Sequence, residues 1–488
     1  MGLKKARKYV LPVFRLTELC GEADPYATQV IIPPAPSRSM TTYFVRSVQE
    51  VEEGLEDSAR WRKYNYNLLP VVVDQHGVPW DAATVYILSR LGDRVTPNMS
   101  TFDGVAEDLS AFLEFLQEKE IDYTIFPQNK LHRPTYIFHG YLKSQVFDGR
   151  LGASTAKRRM GAVISFYRWL ENEKAFSPAF PMWVDRDHYL TFKNAHGFET
   201  GKKIKSTDVS IAIPKQYDPF DGAIDDGGKL RPLPPEEQRW VFEALAHLGN
   251  TEMTLIHSFM LATGARIQTA GTLRVRHVRL ELSEGEQEFR FPVGPGTGVD
   301  TKYDKLMILF IPRWLYERLR IYSSSDRARE RRARAVGGDS EDQYLFLTQQ
   351  GSPYYRSKKE TLAFDPNNKV RHQKRGQTVR MFVGHHVIPY IRRKHDKRFR
   401  YQVHDLRASF GMNLTDQQLA LVERKQITLA QARDFVRIRM GHESSATTDI
   451  YLNHRSRLKQ VYAAVDSHEQ YLRNLIEATW EGKLIEQS

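Results

Sequence analysis

The sequence predicts a mostly helical α+β protein with a small antiparallel β-sheet. Apolar residues recur at helical spacing over 97–175, and helical patterns dominate again from about 232 to the C-terminus. Two short strand-like runs, Glu288–Phe291 and Leu306–Ile311, flank a turn containing Gly294, Gly296 and Gly298.

Residues 1 to about 90 are weakly periodic, with prolines at 33, 34 and 36 and the basic aromatic stretch Arg60–Tyr66. From 97 onward Val105, Leu109, Phe112, Leu113 and Leu116 form a core-facing stripe, with Ser100 or Thr101 expected to cap the helix. A second helix is expected to open at Ser154–Thr155 and run through Met160, Val163, Ile164, Tyr167 and Leu170. Lys157, Arg158 and Arg159 crowd its first turns against the helix dipole, which favours nearby phosphates, although a solvated face fits as well. Periodicity is lost over about 176–230, where Pro214, Asp218–Pro219 and Asp225–Asp226–Gly227–Gly228 read as a linker. Pro234–Pro235–Glu236–Glu237 then opens a helix carrying Trp240, Val241 and Leu245.

A chain of 488 residues with 71 Lys+Arg against 59 Asp+Glu has room for two to four domains and carries a net +12. That balance favours a polyanionic partner, nucleic acid before an anionic membrane. One cysteine, Cys20, leaves no internal disulfide framework, cysteine zinc site or iron–sulfur cluster and fits a reducing compartment. The N-terminal stretch lacks the apolar run of a secretory signal, and no run approaches the roughly 18 apolar residues of a membrane span. Two basic clusters fall in the C-terminal half. Arginines between Arg313 and Arg334 interleave with acids, whereas Arg392, Arg393, Lys394, Lys397 and Arg398 are nearly acid-free and are the better candidates for phosphate contact.

No HExxH, EF-hand loop, phosphate-binding GxxxxGK[ST] loop or dense carboxylate cluster is present. Four other segments suit metal-free phosphoryl chemistry. They are Thr263–Gly264–Ala265–Arg266, the hairpin Thr301–Lys302–Tyr303–Asp304–Lys305, His404–Asp405–Leu406–Arg407, and Gly441–His442 through Thr447–Thr448–Asp449–Ile450–Tyr451. A spacing of three should place His404 and Arg407 on one helical face. Each segment alone is weak.

Their order and flanks together resemble the tyrosine recombinase (phage integrase) family, whose catalytic domains read TGxR, HxLRHT and LGHxxxxTTxxY. The likeness extends over about 97–175 and 232–455, and Tyr344–Leu347 with Gly351 and Pro353 looks like the family's "LF…G.P" segment. It implies a helical core-binding domain and a mixed catalytic domain closing as a C-shaped clamp on duplex DNA. The corresponding segments are an N-terminal extension for DNA or a partner (1–95), a core-binding domain (96–178), a linker (179–231), a catalytic domain (232–460) and an amphipathic tail helix (461–488).

Carried onto this sequence, the resemblance implies that Tyr451 attacks a DNA phosphate to form a 3′-phosphotyrosine. Arg266 and Arg407 would clamp phosphate oxygens, His404 would assist proton transfer and His442 would hydrogen-bond the phosphate. Lys302, preferred over Lys305, would protonate the leaving 5′ oxygen. No metal or other cofactor is implied. Further DNA contacts are expected from Lys157, Arg158, Arg159, Lys305, Arg392, Arg393, Lys394 and Arg398. The implied partners are double-stranded DNA, other copies of the chain in a tetramer, and an accessory recombinase or host DNA-bending protein. The implied setting is a prokaryotic cytoplasm, at the nucleoid, and the implied role is strand exchange for a mobile element. A type IB-like topoisomerase, a telomere resolvase and a DNA-binding regulator with an inactive recombinase fold are the alternatives.

Two departures stand out. Thr269 occupies the position where the family often has an acid, and His277 lies where an Asp often follows. The interval from Arg407 to His442 is also long, read as an added helix pair at Thr415–Glu423 and Leu429–Arg437. The tail residues Tyr471, Leu472, Leu475, Ile476, Trp480 and Leu484 form an amphipathic set that would dock either on a neighbouring copy or on its own domain.

Overall fold

The computed structural model describes residues 5–19, 28–31, 42–45, 61–92, 94–95, 97–173, 175–193, 199–212, 222–368 and 370–485. Cys20 and prolines 33, 34 and 36 lie outside them. The chain divides into two units, one formed by Met1–Lys215 with Glu360–Gln373 and the other by Gln216–Lys359 with Lys374–Ser488.

The first unit joins strands to helices around one core. Strand β1 (Arg7–Leu19) pairs antiparallel with β4 (Trp61–Val73), in a register running from Arg7 opposite Val73 to Leu19 opposite Trp61, and β2 (Thr28–Ile31) pairs with β3 (Thr42–Val45). Helices α1 (Asp81–Gly92), α2 (Met99–Glu118), α3 (Pro134–Phe147) and α4 (Ala153–Asn172) follow. The expected stripe is there: Leu109, Phe112, Leu113 and Leu116 are buried, and the aromatics Trp80, Phe138, Phe166 and Tyr167 fill the space between helices. The caps differ from expectation. Asn98, not Ser100 or Thr101, caps α2 by accepting from the Ser100 N–H, and α4 starts after Gly152 with no side-chain cap.

Strand β4 is buried from Tyr66 through Val73, a run apolar except for Asn67, of the kind found in strands covered on both faces. Part of that cover comes from far along the chain. The Asn67 side chain donates to the carbonyls of Leu362 (2.8 Å) and Asp365 (2.6 Å), its N–H donates to Ala363 (2.7 Å), and Phe364 meets the Tyr66 ring edge-on. Beyond α4, the stretch expected as a linker contains the paired strands β5 (Asp185–Lys193) and β6 (Glu199–Thr207). Their polar, lysine-rich composition hid them from a reading based on apolar alternation.

The second unit begins with a short hairpin, β7 (Ile224–Asp225) and β8 (Lys229–Leu230). Helices α5 (Pro235–Leu248), α6 (Thr251–Thr263) and α7 (Ile267–Gly271) follow, then the antiparallel pair β9 (Glu288–Val293) and β10 (Met307–Pro312). Next come α8 (Arg313–Ser324), α9 (Asp326–Ala333), α10 (Gln377–Phe382), α11 (Ile388–Lys394), α12 (Asp405–Glu423), α13 (Leu429–Met440) and α14 (Ser445–Ile485). Val241, Ile256, Phe259, Leu309, Leu319, Phe346 and Leu406 are central to the core. The added helix pair is α12 and α13, but α12 is continuous from Asp405, so the extra length extends a helix already there. The tail is likewise not a separate helix, because α14 runs unbroken from Ser445 to Ile485. Tyr471, Leu472 and Ile476 are exposed on it; the side chains of Leu475, Trp480 and Leu484 lie outside the described residues. None of the described helices is long and apolar enough to cross a membrane.

Many of the arginines in α8 and α9 serve the fold. Glu252, fully buried, receives Arg327 at 2.8 and 2.9 Å, Arg331 at 3.0 Å and the Tyr322 hydroxyl at 2.9 Å. Arg332 is buried and reaches Asp339 at 2.5 Å. A buried cation keeps its charge only where acceptors replace water. Removing one partner is costly. Glu252→Ala is expected to lower unfolding stability by about 3–5 kcal/mol, read as a lower urea midpoint with an unchanged slope.

Candidate active site

Three helix ends and two turns of the second unit position the six residues. Helix α6 closes on Gly264 at φ +68°, where a Cβ would lie 2.4 Å from the Phe410 ring, and the chain then presents Arg266 at the N-cap of α7. His404, itself helical in φ and ψ, is the N-cap of α12, and Arg407 sits three residues on in the first turn, where its N–H donates to the His404 carbonyl at 3.1 Å. Helix α13 closes on Gly441 at φ +63°, with Met307 2.5 Å from where a Cβ would be, and His442 follows directly. Tyr451 lies in the second turn of α14. Lys302 begins the 3-10 turn Lys302–Asp304 between β9 and β10, in which Tyr303 takes a left-handed φ of 60°.

Four of these side chains, those of Arg266, Arg407, His442 and Tyr451, converge on Asp226. One carboxylate oxygen accepts from Arg407 Nε at 2.8 Å and the Tyr451 hydroxyl at 3.0 Å, and lies 3.4 Å from His442 Nε2. The other lies 3.6 Å from an Arg266 terminal nitrogen. Lys302 Nζ donates to the Gly227 carbonyl at 3.4 Å. Arg407, also buried, donates to the carbonyls of Gly264 (2.8 Å) and Met440 (3.0 Å) and so joins the ends of α6 and α13. His442 Nδ1 pairs with Thr448 Oγ1 at 3.0 Å, which leaves Nε2 facing the carboxylate. Arg266 Nε is buried and has no acceptor among the described residues. Among the described residues, no group of three or more His, Cys, Asp or Glu is placed to hold a metal ion.

Burial alone would raise the Asp226 pKa, but the His442 hydrogen bond and the charges of Arg407, His442 and Arg266 outweigh it and hold the carboxyl far below its usual range. It is ionised at neutral pH. Burial and the Asp226 charge push the Tyr451 phenol well above 10. Burial, then Arg266 and Arg407, lower His404 to about 4; burial also lowers His442, against the pull of Asp226. The free protein therefore holds a neutral tyrosine, a neutral His404 and a carboxylate among arginines.

No protein-family profile matches the sequence, and a search of curated proteins finds no match. Solved structures do match. The chain is similar to site-specific recombinases and integrases. One is the XerH site-specific recombinase bound to its difH substrate in a pre-cleavage complex, at 13% identity and a TM-score of 0.40, with 76% of this chain and 86% of that one covered. Another is the Tn1549 transposon integrase in complex with circular intermediate DNA, at 13% identity and a TM-score of 0.41, covering 76% and 94%. A lambda integrase dimer bound to a COC′ core site matches at 12% identity and a TM-score of 0.40, covering 77% and 96%.

All six expected catalytic residues lie in the second unit, and Lys302, not Lys305, reaches the Asp226 turn. Lys305 pairs with Glu443 at 3.0 Å. Four of the other expected DNA contacts, Arg158, Arg159, Arg392 and Lys394, have partners the sequence did not suggest. Arg158 binds the buried Asp108 at 2.7 Å with Arg159 nearby at 3.9 Å, while Lys157 is exposed. The run at Arg392–Arg398 holds one acid in sequence, Asp396, and meets another in space: Lys394 bonds Glu243 of α5, and Arg392 donates to the Phe399 carbonyl at 2.9 Å. Arg393 and Arg398 have exposed side chains. His277 does not support Arg266. Its Nδ1 accepts from the Arg274 N–H at 2.9 Å and its Nε2 donates to the Thr297 carbonyl at 3.1 Å, which pins the glycine turn. Sequence reading missed Asp226, whose Asp-Asp-Gly-Gly setting looked like a linker.

His404 is expected to stay neutral in the free protein down to about pH 4, because its folded pKa lies below the ordinary value of 6.5; a side-chain nitrogen NMR titration with a midpoint near 6.5 would contradict this. Gly411 is a second test of the geometry, since a Cβ there would sit 2.4 Å from Tyr451 Cε1. Gly411→Ala should displace the ring and cut Tyr451-dependent chemistry at least tenfold with the circular dichroism spectrum unchanged.

Proposed function

We propose that the chain is a tyrosine-type site-specific DNA recombinase, which cleaves and rejoins strands through a 3′-phosphotyrosine without metal or ATP. The observation that carries this reading is the meeting of a buried tyrosine hydroxyl with two arginines, a histidine and an anion within hydrogen-bonding or ion-pairing distance.

In the proposed step the Tyr451 oxygen attacks phosphorus and the bond to the 5′ oxygen breaks. The phenol proton passes to His404, and Lys302 protonates the departing oxygen. Arg266 and Arg407 present forked donors to the non-bridging oxygens, where negative charge grows in the pentavalent transition state, and His442 adds a third donor. The unpartnered Arg266 Nε suits this role, since a phosphate oxygen would satisfy it. The reaction conserves the energy of the phosphodiester in the phosphotyrosine, so a 5′ hydroxyl from another strand can reverse it. Exchange between two duplexes takes four such sites. The exposed Tyr471, Leu472 and Ile476 on α14 are suited to contact another copy in that tetramer. Service to a mobile element is the biological role proposed.

Incubating the protein with candidate element-end DNA should give an SDS-resistant protein–DNA adduct that Tyr451→Phe abolishes. Equal behaviour of the two proteins would refute the mechanism, and relaxation of plasmids of any sequence would indicate a topoisomerase instead.

A further inference from the structure

We propose that the turn between β7 and β8 is a built-in substitute for the scissile phosphate, a plug that DNA must displace before Tyr451 can act. The inference rests on the recombinase reading and concerns the regulation of that same site.

Asp226 engages the groups assigned to the substrate. Arg407, His442 and Tyr451 meet one of its oxygens and Arg266 faces the other, so a carboxylate stands where a phosphate would have to stand. The backbone beside it fills the remaining approach. The Gly227 carbonyl takes Lys302 Nζ, and a Cβ on Gly227 would fall 3.0 Å from that nitrogen and 3.5 Å from the Arg266 guanidinium. Two anions cannot share this space, because like charges at contact in a desolvated site repel strongly. The phosphate therefore competes with Asp226 for the same donors.

The plug also quiets the nucleophile. While the Tyr451 hydroxyl donates to Asp226, its proton is held by the carboxylate and no electrophile stands before its oxygen, and the neighbouring negative charge disfavours the phenolate. Displacement would remove that charge and put phosphorus in its place. The turn that has to move is short, since β7 and β8 are two residues each, and Gly227 and Gly228 hold φ of +70° and +152°. Asp226 could otherwise be the base that takes the phenol proton, and the two roles predict opposite outcomes when the carboxylate is removed.

The test compares wild type with Asp226→Asn and Gly228→Ala. The first removes the mimicking charge with little change of shape; the second keeps the charge but strains the docked turn. With inorganic phosphate as the probe, both variants should gain a saturable rise in melting temperature and bind phosphate at least tenfold more tightly than wild type. On a cleavage substrate that traps the adduct, both should form phosphotyrosine faster. In a Tyr451→Phe background, duplex binding by Asp226→Asn should show a salt slope steeper by about 1. Slower adduct formation with unchanged phosphate binding would overturn the plug and make Asp226 the base. Equal phosphate binding in all three proteins would overturn it as well. If Asp226→Asn fails to fold, Gly228→Ala decides alone. Absence of any adduct from wild type would count against the recombinase reading, whereas the phosphate measurement would still decide the plug.

Discussion

Arg407 is fastened to three distant pieces of chain at once: the carbonyl closing α6, the carbonyl closing α13, and the carboxylate of Asp226. A guanidinium has five N–H donors in a fixed plane and keeps its charge when buried, so it can organise several elements where a lysine could not. Because α6 leads to Arg266 and α13 leads to His442, this one side chain sets the distance between two other members of the site. Its ionic partner is as necessary as its carbonyls, since a buried cation without an anion is expensive. On the proposed recombinase reading, structural integrity and phosphate binding draw on the same group.

The distribution of charge follows similar logic. A net +12 suggests a wide basic surface, yet several of the cations are paired with acids, some of them buried. Arg158 is held by Asp108, whose pKa burial raises to about 6 even with Arg158 and Arg159 beside it. Arg327 and Arg331 are held by Glu252, and Lys394 by Glu243. Runs of like charge in a sequence are a poor guide to phosphate contacts when the opposing acid arrives from 50 to 150 residues away, as Asp108 and Glu243 do.

Much of the architecture was legible. Helical spacing revealed α2 and α4, and alternation with a glycine turn revealed β9 and β10. The six expected site residues came from the order of four motifs and its resemblance to the recombinase pattern, and the two glycines in those motifs have physical reasons: Gly264 and Gly441 both turn left-handed against a packed side chain. What stayed hidden depends on long-range partners. Strands β1 and β4 pair across more than forty intervening residues, and Asp226 meets Arg407 from 181 residues away. Its burial could not be inferred from a polar, glycine-rich neighbourhood that looks the same as a solvated linker. Cap residues were off by two or three positions, because Asn98 and Ser100 are equally good candidates until the chain direction is known.

The residues 360–373 that cover β4 give the protein an unusual genetic constraint. The polypeptide passes between its two units at Lys215, at Lys359 and again at Gln373, so no single breakpoint in the gene separates them. A crossover near codon 215 would transplant Asn67 and β4 without the carbonyls of Leu362, Ala363 and Asp365 that satisfy them. Modular exchange of the N-terminal half, an ordinary route by which multidomain proteins acquire new specificity, is closed here unless both pieces travel together.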